Sequence, residues 1–295
     1  MADLVAILTS AVVLGSIYGL VAIGMTLIYG ILRVLDMSQG SMVMAGSFVG
    51  WAILSSAGWN PVVAMVVAFV LTFALGAVTQ LVSVQPLLGR GGFDFEMITF
   101  ITTFAVAIVI QNVALEVFGP RQKGVPPVFD GTVEVYSGVF LPYQSIAMAL
   151  VSIGLMALLG LFLARSRWGM AIRAVAQDLD AARLMTVPIR RMFPLVMGLA
   201  SALAGIGGVF LGGLYFASPS AGELPLLYAL IVVIFGGLGS LPGTIYAAYA
   251  IGLIQAAVSV TIAAKWALPI LYAVILVVLV VRPQGLAGRP SEARL

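Results

Sequence analysis

An all-α fold, a polytopic transmembrane bundle of about eight to nine spans, is the fold class that this sequence predicts, and three observations predict it. Of 295 residues, 62% are hydrophobic and only 8% are charged, whereas soluble domains carry roughly 25% charged residues. The apolar residues lie in long runs punctuated by Pro, Gly and the few charges. A transmembrane helix uses ~20 residues, so these runs fill the chain with spans joined by short loops. No sizeable extramembrane domain fits beside them, and the chain reads as one membrane domain, residues 1–295. Met1 to Asp3 carry no positive n-region, so the first apolar stretch is expected to be a retained span.

The punctuation places each span in turn. The first runs from about Leu4 to Ile28 and the second, after Arg33, Asp36, Ser38 and Gln39, from about Ser41 to Ser56. Pro61 opens the third, which ends near Val84, and the fourth covers Met97 to Phe118. A long polar connection, Gly119 to Tyr143, carries Arg121, Lys123, Asp130 and Glu134 and leads to the fifth span, Gln144 to Ala164. The most charged stretch follows, with six arginines and two aspartates between Arg165 and Arg191. Spans six to nine are Pro194 to Phe216, Pro225 to about Leu238, Thr244 to Ile262 and Ala267 to Val281. Span two is short: 16 residues cover only ~24 Å of a ~30 Å hydrocarbon core. The segment Gly30 to Gly40 is therefore expected to dip into the membrane, and eight or nine spans both fit.

Charge sets the orientation. Cytoplasmic loops carry an excess of Lys and Arg, and placing 165–193 in the cytoplasm puts 11 of the 14 cationic residues there, including Arg33, Arg90, Arg282, Arg289 and Arg294. The expectation is an outside N-terminus and a cytoplasmic C-terminus.

Several chemistries are excluded by what is missing. The chain has neither Cys nor His, which removes disulfides, thiol catalysis, the Ser/His/Asp triad and nearly every zinc site; no catalytic or metal-ligating residue is expected. No G-x-x-x-x-G-K-[ST] loop is present for binding ATP. No span carries Arg at three-residue spacing, as a voltage sensor would. A net charge of +3, scattered along the chain, does not suit nucleic acid.

Three features remain as functional candidates. Trp168, Ile172, Val175 and Leu179 recur at helical spacing with Arg173, Gln177, Asp178 and Asp180 on other faces, so Gly169 to about Leu184 reads as one short amphipathic helix, too polar to span. It suits either anchorage to anionic lipid or docking into a protein groove. Glycine runs in spans one and six, and from Gly236 to Gly243, allow close helix approach in lipid. Finally, Asp36, Ser38, Gln39, Gly40 and Ser41 in the first half, and Ser218, Ser220, Gly222 and Glu223 in the second, interrupt apolar stretches in a way that suggests two related halves lining one route. Two readings stay open for Asp36, a pathway group or a cap for the following helix; Glu223 reads equally as a solvated loop end.

With these motifs in place the chain resembles, over nearly its whole length, the LivH-type permease subunits of ABC importers for branched-chain amino acids and related small solutes. Leu14-Gly-Ser-Ile-Tyr-Gly-Leu20 with Gly24-Met-Thr-Leu-Ile-Tyr-Gly30 is similar to that family's first span. Gly169-Met-Ala-Ile-Arg-Ala-Val-Ala-Gln-Asp178, with Ala182 and Leu184, resembles its cytoplasmic coupling segment. Gly236 to Gly243 and Arg282 to Pro290 resemble its late signatures. The family usually reads Ile-Asn-Phe-Ala-His-Gly-Glu where this chain has Leu35-Asp-Met-Ser-Gln-Gly-Ser41, and Thr186 stands where a Gly commonly closes the coupling helix.

The resemblance implies a non-enzymatic pore half in a bacterial cytoplasmic (inner) membrane. It would pair with a second homologous permease, two cytoplasmic ATPase subunits and an extracytoplasmic solute-binding protein. ATP and Mg would be bound by the partner subunits, with no cofactor in this chain. Gly169, Ile172, Arg173, Val175, Asp178, Leu179, Ala182 and Leu184 would couple to the ATPases, and Asp36, Ser38, Gln39, Gly40, Ser41, Ser218 and Glu223 would line the route of a small neutral or zwitterionic solute. The rival expectation is a stand-alone secondary transporter or channel, which normally places ionisable groups in mid-span; here Asp36 alone qualifies.

Overall fold

The computed structural model describes residues 2–56, 60–87, 93–127, 129, 131–136, 139–185, 187–282 and 284–287. Arg90, Asp130, Thr186, Arg289, Pro290 and Arg294 lie outside the described residues. Eleven α-helices follow in chain order among those described: α1 (Ala2–Leu32), α2 (Gln39–Trp51), α3 (Pro61–Thr79), α4 (Phe93–Phe118), α5 (Tyr143–Arg165), α6 (Arg167–Gln177), α7 (Leu179–Leu184), α8 (Ile189–Leu214), α9 (Glu223–Gly236), α10 (Leu241–Val258) and α11 (Ala267–Val281). Single π-helical turns extend α2 to Ser56, α3 from Gln80 to Val84 and α10 from Ser259 to Ala263.

Among the described residues, six segments are long and apolar enough to cross a membrane: Asp3–Leu32, Pro61–Leu87, Phe95–Phe118, Tyr143–Arg165, Ile189–Leu214 and Leu241–Val281. The last is a hairpin. Its helix is interrupted at Ala263, whose backbone is extended (φ 179°, ψ 151°), and the chain beyond α11 returns to the turn that precedes α10. There the Leu286 N–H donates to Phe235 O at 2.9 Å and the Ala287 N–H to Gly236 O at 3.2 Å.

Small residues let the central helices pack closely in place of a hydrophobic driving force. Helices α1 and α10 run antiparallel: Gly252 lies against Ala11 and Gly15, the Thr26 and Thr244 hydroxyls bond at 2.7 Å, and Gly30 lies beside Gly239. Helix α8, the most buried of these six segments, is held between α2 and α3. A Cβ at Gly208 or Gly46 would overlap the backbone of Val43 or Gly205, and one at Gly205 would overlap the Thr72 side chain. The pairings Thr72 with Gly205 and Gly76 with Ser201 set α3 antiparallel to α8, so the end of α3 lies by the start of α8.

Two sequence expectations need correcting. The Gly119 to Tyr143 connection holds a two-stranded antiparallel ladder, β1 (Thr132–Tyr136) with β2 (Val139–Pro142), within an otherwise all-α chain. The amphipathic segment is two helices, not one. Asp178 is extended (φ −151°, ψ 112°), and its carboxylate accepts the Ala181 N–H at 3.1 Å, so it ends α6 and caps α7. Ser166 caps α6 in the same manner, accepting the Gly169 N–H at 2.8 Å.

Candidate functional site

Helices α2 and α9 are short because both begin part-way through the bundle. After α1 ends, Arg33 takes a left-handed conformation (φ 57°) and the chain runs back between the helices. The Met37 N–H reaches Thr103 Oγ1 at 3.3 Å. Thr103 lies ten residues into α4, about 15 Å from its start, so α2 starts near mid-depth. Helix α9 has 14 residues, about 21 Å at 1.5 Å each, and its N-terminal end meets that of α2. A Cβ at Gly40 would stand 2.9 Å from Gly222 O, and one at Gly222 would overlap the Gly40 backbone.

The structure therefore brings the two polar interruptions together. At the first, Asp36 accepts the Ser38 N–H at 2.9 Å, the Ser38 hydroxyl at 2.7 Å and the Gln39 amide at 3.4 Å. Ser41 Oγ donates to Ser38 O at 2.7 Å. Asp36, Ser38 and Gln39 are fully buried, and Asp36 holds the turn that starts α2. At the second, the Ser218 and Ser220 hydroxyls lie 3.5 Å apart, while Glu223 is exposed and accepts the Gln111 amide at 3.1 Å.

A cavity of about 480 Å³ lies on the far side of the Gly40–Gly222 contact from α6 and α7. Ser47 of α2, Ser218, Ser220 and Gln122 give it polar groups, and Tyr18, Tyr228 and Gln255 form one wall. The Tyr18 and Tyr228 rings stack at 4.3 Å. No charged side chain lines it among the described residues. Next to the lining residues Gln122 and Ser218, Lys123 and Ala217 exchange backbone hydrogen bonds of 2.8 and 3.0 Å, with the Lys123 ammonium over the Trp51 ring at 4.5 Å. Of the polar residues read from the sequence as interruptions lining one route, Ser218 and Ser220 line this cavity, and Asp36, Ser38, Gln39, Gly40, Ser41, Gly222 and Glu223 do not. Sequence reasoning missed Tyr18, Tyr228 and Gln255, which sit singly inside apolar spans and signal nothing by spacing.

At the opposite end of the bundle, α6 packs against α1 and α5. Ile172 and Val175 are 3% exposed and Ala182 is buried, all inside the chain's own core. Gly169 is required there, since a Cβ would meet the Leu163 and Phe162 backbone at 2.5 Å. Arg173 is exposed and donates to Ala164 O at 3.2 Å, Asp178 is exposed and Leu179 half-buried. Leu184 and Met185 project outward, 87% and 80% exposed. Ile172 and Val175 of the apolar stripe thus face the bundle, whereas Trp168 is exposed, and Met170, Arg173, Asp178, Leu184 and Met185 are among the other residues of the outward surface.

The family described as "Branched-chain amino acid transport system / permease component" matches residues 7–279. The chain belongs to this family. Among curated relatives, it is 30% identical over 97% of its length to the high-affinity branched-chain amino acid transport system permease protein LivH of Escherichia coli K12, covering 96% of that protein. It is 29% identical to BraD of Pseudomonas aeruginosa, the shares being 98% and 97%. To the probable branched-chain amino acid transport permease LivH of Methanocaldococcus jannaschii it is 25% identical, over 96% and 92% of the two chains. Among solved structures, PsaBC from Streptococcus pneumoniae in complex with Fab shares the fold, with a TM-score of 0.50 over 96% of this chain and 93% of that one at 16% identity. Membership makes the chain a multi-pass permease component, with its apolar helices in the membrane.

Proposed function

We propose that this permease moves a branched-chain amino acid or a related small zwitterion inward, driven by ATP hydrolysed on two separate cytoplasmic subunits. It would do so beside a second homologous permease and an external binding protein. The observation that carries the reading is the cavity: large enough for one such solute, walled largely by apolar side chains with tyrosines, hydroxyls and amides set among them, and free of charged side chains among the described residues. Such walls offer donors and acceptors without fixed charge, which suits a solute that must bind weakly and leave. Its substrate range follows from the names of the relatives.

In this reading nine helices enter the bilayer. Seven cross it (α1, α3, α4, α5, α8, α10, α11), while α2 and α9 begin at mid-depth and leave by opposite faces. The N-terminus is outside, and α6, α7 and the C-terminus are cytoplasmic, in a bacterial inner membrane. Ile172, Val175 and Ala182 fasten the coupling helices to the bundle, and Arg173, Asp178, Leu184 and Met185 meet the ATPase. Motion of the ATPases then reaches α1 and α5 directly, because α6 packs on both.

The test is uptake of labelled leucine by vesicles holding the complete complex, with Ser218→Cys as the probe of the route. ATP-dependent uptake, together with labelling of the cysteine that added leucine slows, supports the reading. Uptake driven by an ion gradient without ATP points to a secondary transporter, and a cysteine inert in every state removes the cavity from the route.

A further inference from the structure

One carboxylate of this chain is exposed at a depth where the surrounding helices are apolar. Among the described residues, the other exposed carboxylates of the long apolar helices stand near a terminus: Asp3 in the first turn of α1, Glu96 in the first turn of α4 and Glu116 in its last. Glu223 also opens a helix, but α9 begins inside the bundle, against the start of α2. It stands about 20 Å along α9 from Gly236. Gln111, whose amide donates to Glu223 Oε1 at 3.1 Å, stands about 27 Å along α4 from Phe93 and about 10 Å short of Phe118. The next residue, Asn112, is exposed as well, its amide donating to Ile108 O at 2.8 Å.

A surface turned to lipid does not account for this group. Carboxylates within a membrane are expensive and face a bundle interior or a water-filled space, and lipid tails offer Glu223 neither water nor a donor. The start of a helix favours an acid, but that explains neither its exposure at this depth nor the amide that reaches it from α4. Helix α4 packs chiefly on α2 and on the π turn after α3, and its open sides carry Ile108, Asn112 and Leu115. Ser220, Ala221 and Leu224, on either side of Glu223 in the chain, line the cavity, so the cavity and this polar face adjoin at one turn. The Gln111 amide occupies Glu223 Oε1, and neither an ion pair nor a further hydrogen bond holds Oε2 among the described residues.

We propose that α4 and the first turn of α9 form the side of this chain that faces the second permease across a water-filled pore, and that Glu223 there accepts the ammonium group of the passing amino acid. The inference rests on the reading of the chain as one half of a two-permease importer of zwitterions. Gln111 positions the carboxylate through Oε1, and Oε2 is left for the ammonium N–H donors. The cavity supplies no charged side chain among the described residues, so this carboxylate is what tells an amino acid from a neutral or anionic solute of the same size. In contact with water the attraction is weak and screened, which lets the solute leave.

The experiment uses the assembled complex in lipid vesicles, with any cysteines of its partner subunits replaced; this chain has none of its own. Asn112→Cys is treated with a cationic and with an anionic methanethiosulfonate, neither of which enters lipid, and Val70→Cys, exposed on α3, is the lipid-facing control. Asn112→Cys should react and Val70→Cys should not. Adding Glu223→Gln to Asn112→Cys should lower the ratio of cationic to anionic labelling rates by about threefold or more. An inert Asn112→Cys, equal labelling of Val70→Cys, or a ratio that Glu223→Gln leaves unchanged overturns the pore-facing assignment. For the ammonium contact, Glu223→Gln should slow ATP-driven leucine uptake severalfold and Glu223→Asp should retain most of it, with the melting temperature of the complex unchanged in both. Equal uptake in all three, or slower uptake that follows a lowered melting temperature, overturns that contact. Failure of the underlying reading looks different: leucine uptake that needs no ATP removes the importer and this inference with it, whereas ATP-driven uptake beside an inert Asn112→Cys removes the inference alone.

Discussion

Gly40 and Gly222 meet backbone to backbone where two short helices begin, and a side chain on either would occupy space the other already fills. This contact converts two polar interruptions, 182 positions apart in the sequence, into one junction inside the bundle. Overpacking a tight site costs typically about 1–3 kcal/mol. Gly222→Val should therefore reduce folded yield more than Gly40→Ala, whose Cβ meets a carbonyl oxygen at 2.9 Å and the Leu226 side chain at 3.1 Å. Monodispersity and melting temperature in detergent measure both; equal, wild-type behaviour would show that the junction yields freely.

The helices themselves were legible because the bilayer imposes one length and one polarity on them. Ala267–Val281 has the bounds that its flanking residues predict, and α3 begins at Pro61, a residue preorganised for a first turn. The break at Asp178 was not legible, since Ile172, Val175 and Leu179 keep helical spacing across it. The cavity wall stayed hidden for another reason: Tyr18 and Tyr228 are far apart in sequence, and only the crossing of α1 with α9 stacks them. The burial of Thr79, Gln80 and Ser83 was not read from the sequence, where they stand as scattered polar residues in an apolar span.

Buried and exposed positions of α6 and α7 allow anchorage to the bundle to be tested apart from the proposed docking. Ile172→Asp would bury a carboxylate among core side chains and should lower folded yield sharply. Leu184→Asp and Arg173→Glu change exposed positions; they should leave insertion and melting unchanged while lowering leucine-dependent ATP hydrolysis by the assembled complex. Normal stimulated hydrolysis in both surface variants would remove α6 and α7 from the ATPase interface.

Topology is independently testable. A reporter that matures only in the cytoplasm should be active when fused between Asp178 and Arg190 and inactive between Gly131 and Ser137, because α5 separates the two. Activity in the reverse pattern would invert the whole assembly.

At the start of α2, Asp36 and Gln39 divide structure from transport. The Asp36 carboxylate holds the turn through Ser38 N–H and Oγ. Asn retains an acceptor, so Asp36→Asn should be milder than Asp36→Ala, where loss of a cap costs about 0.5–2 kcal/mol. Gln39→Leu removes an amide whose Oε1 has no partner among the described residues and should lower uptake while leaving assembly intact. Unchanged uptake in Gln39→Leu would take that residue out of the proposed solute route.

The stacked tyrosines make the sharpest test of the outer cavity. Tyr228 is carried by α9, which begins inside the bundle, and Tyr18 by α1, so their contact ties a short helix to a long one across the cavity wall. Stacking contributes about 0.5–1.5 kcal/mol beyond the area buried, and the hydroxyls add two polar groups to the wall. Tyr228→Phe keeps the ring and loses one hydroxyl; it should keep the fold and alter leucine uptake only through the missing polar contact. Tyr228→Ala opens the wall, and two effects should appear together: a higher leucine concentration for half-maximal uptake and a weaker preference for leucine over a bulkier aromatic amino acid. Competition between labelled leucine and unlabelled phenylalanine in vesicles measures both. If Tyr228→Ala transports with unaltered affinity and preference, the solute does not touch this wall, and selection is made elsewhere along the route.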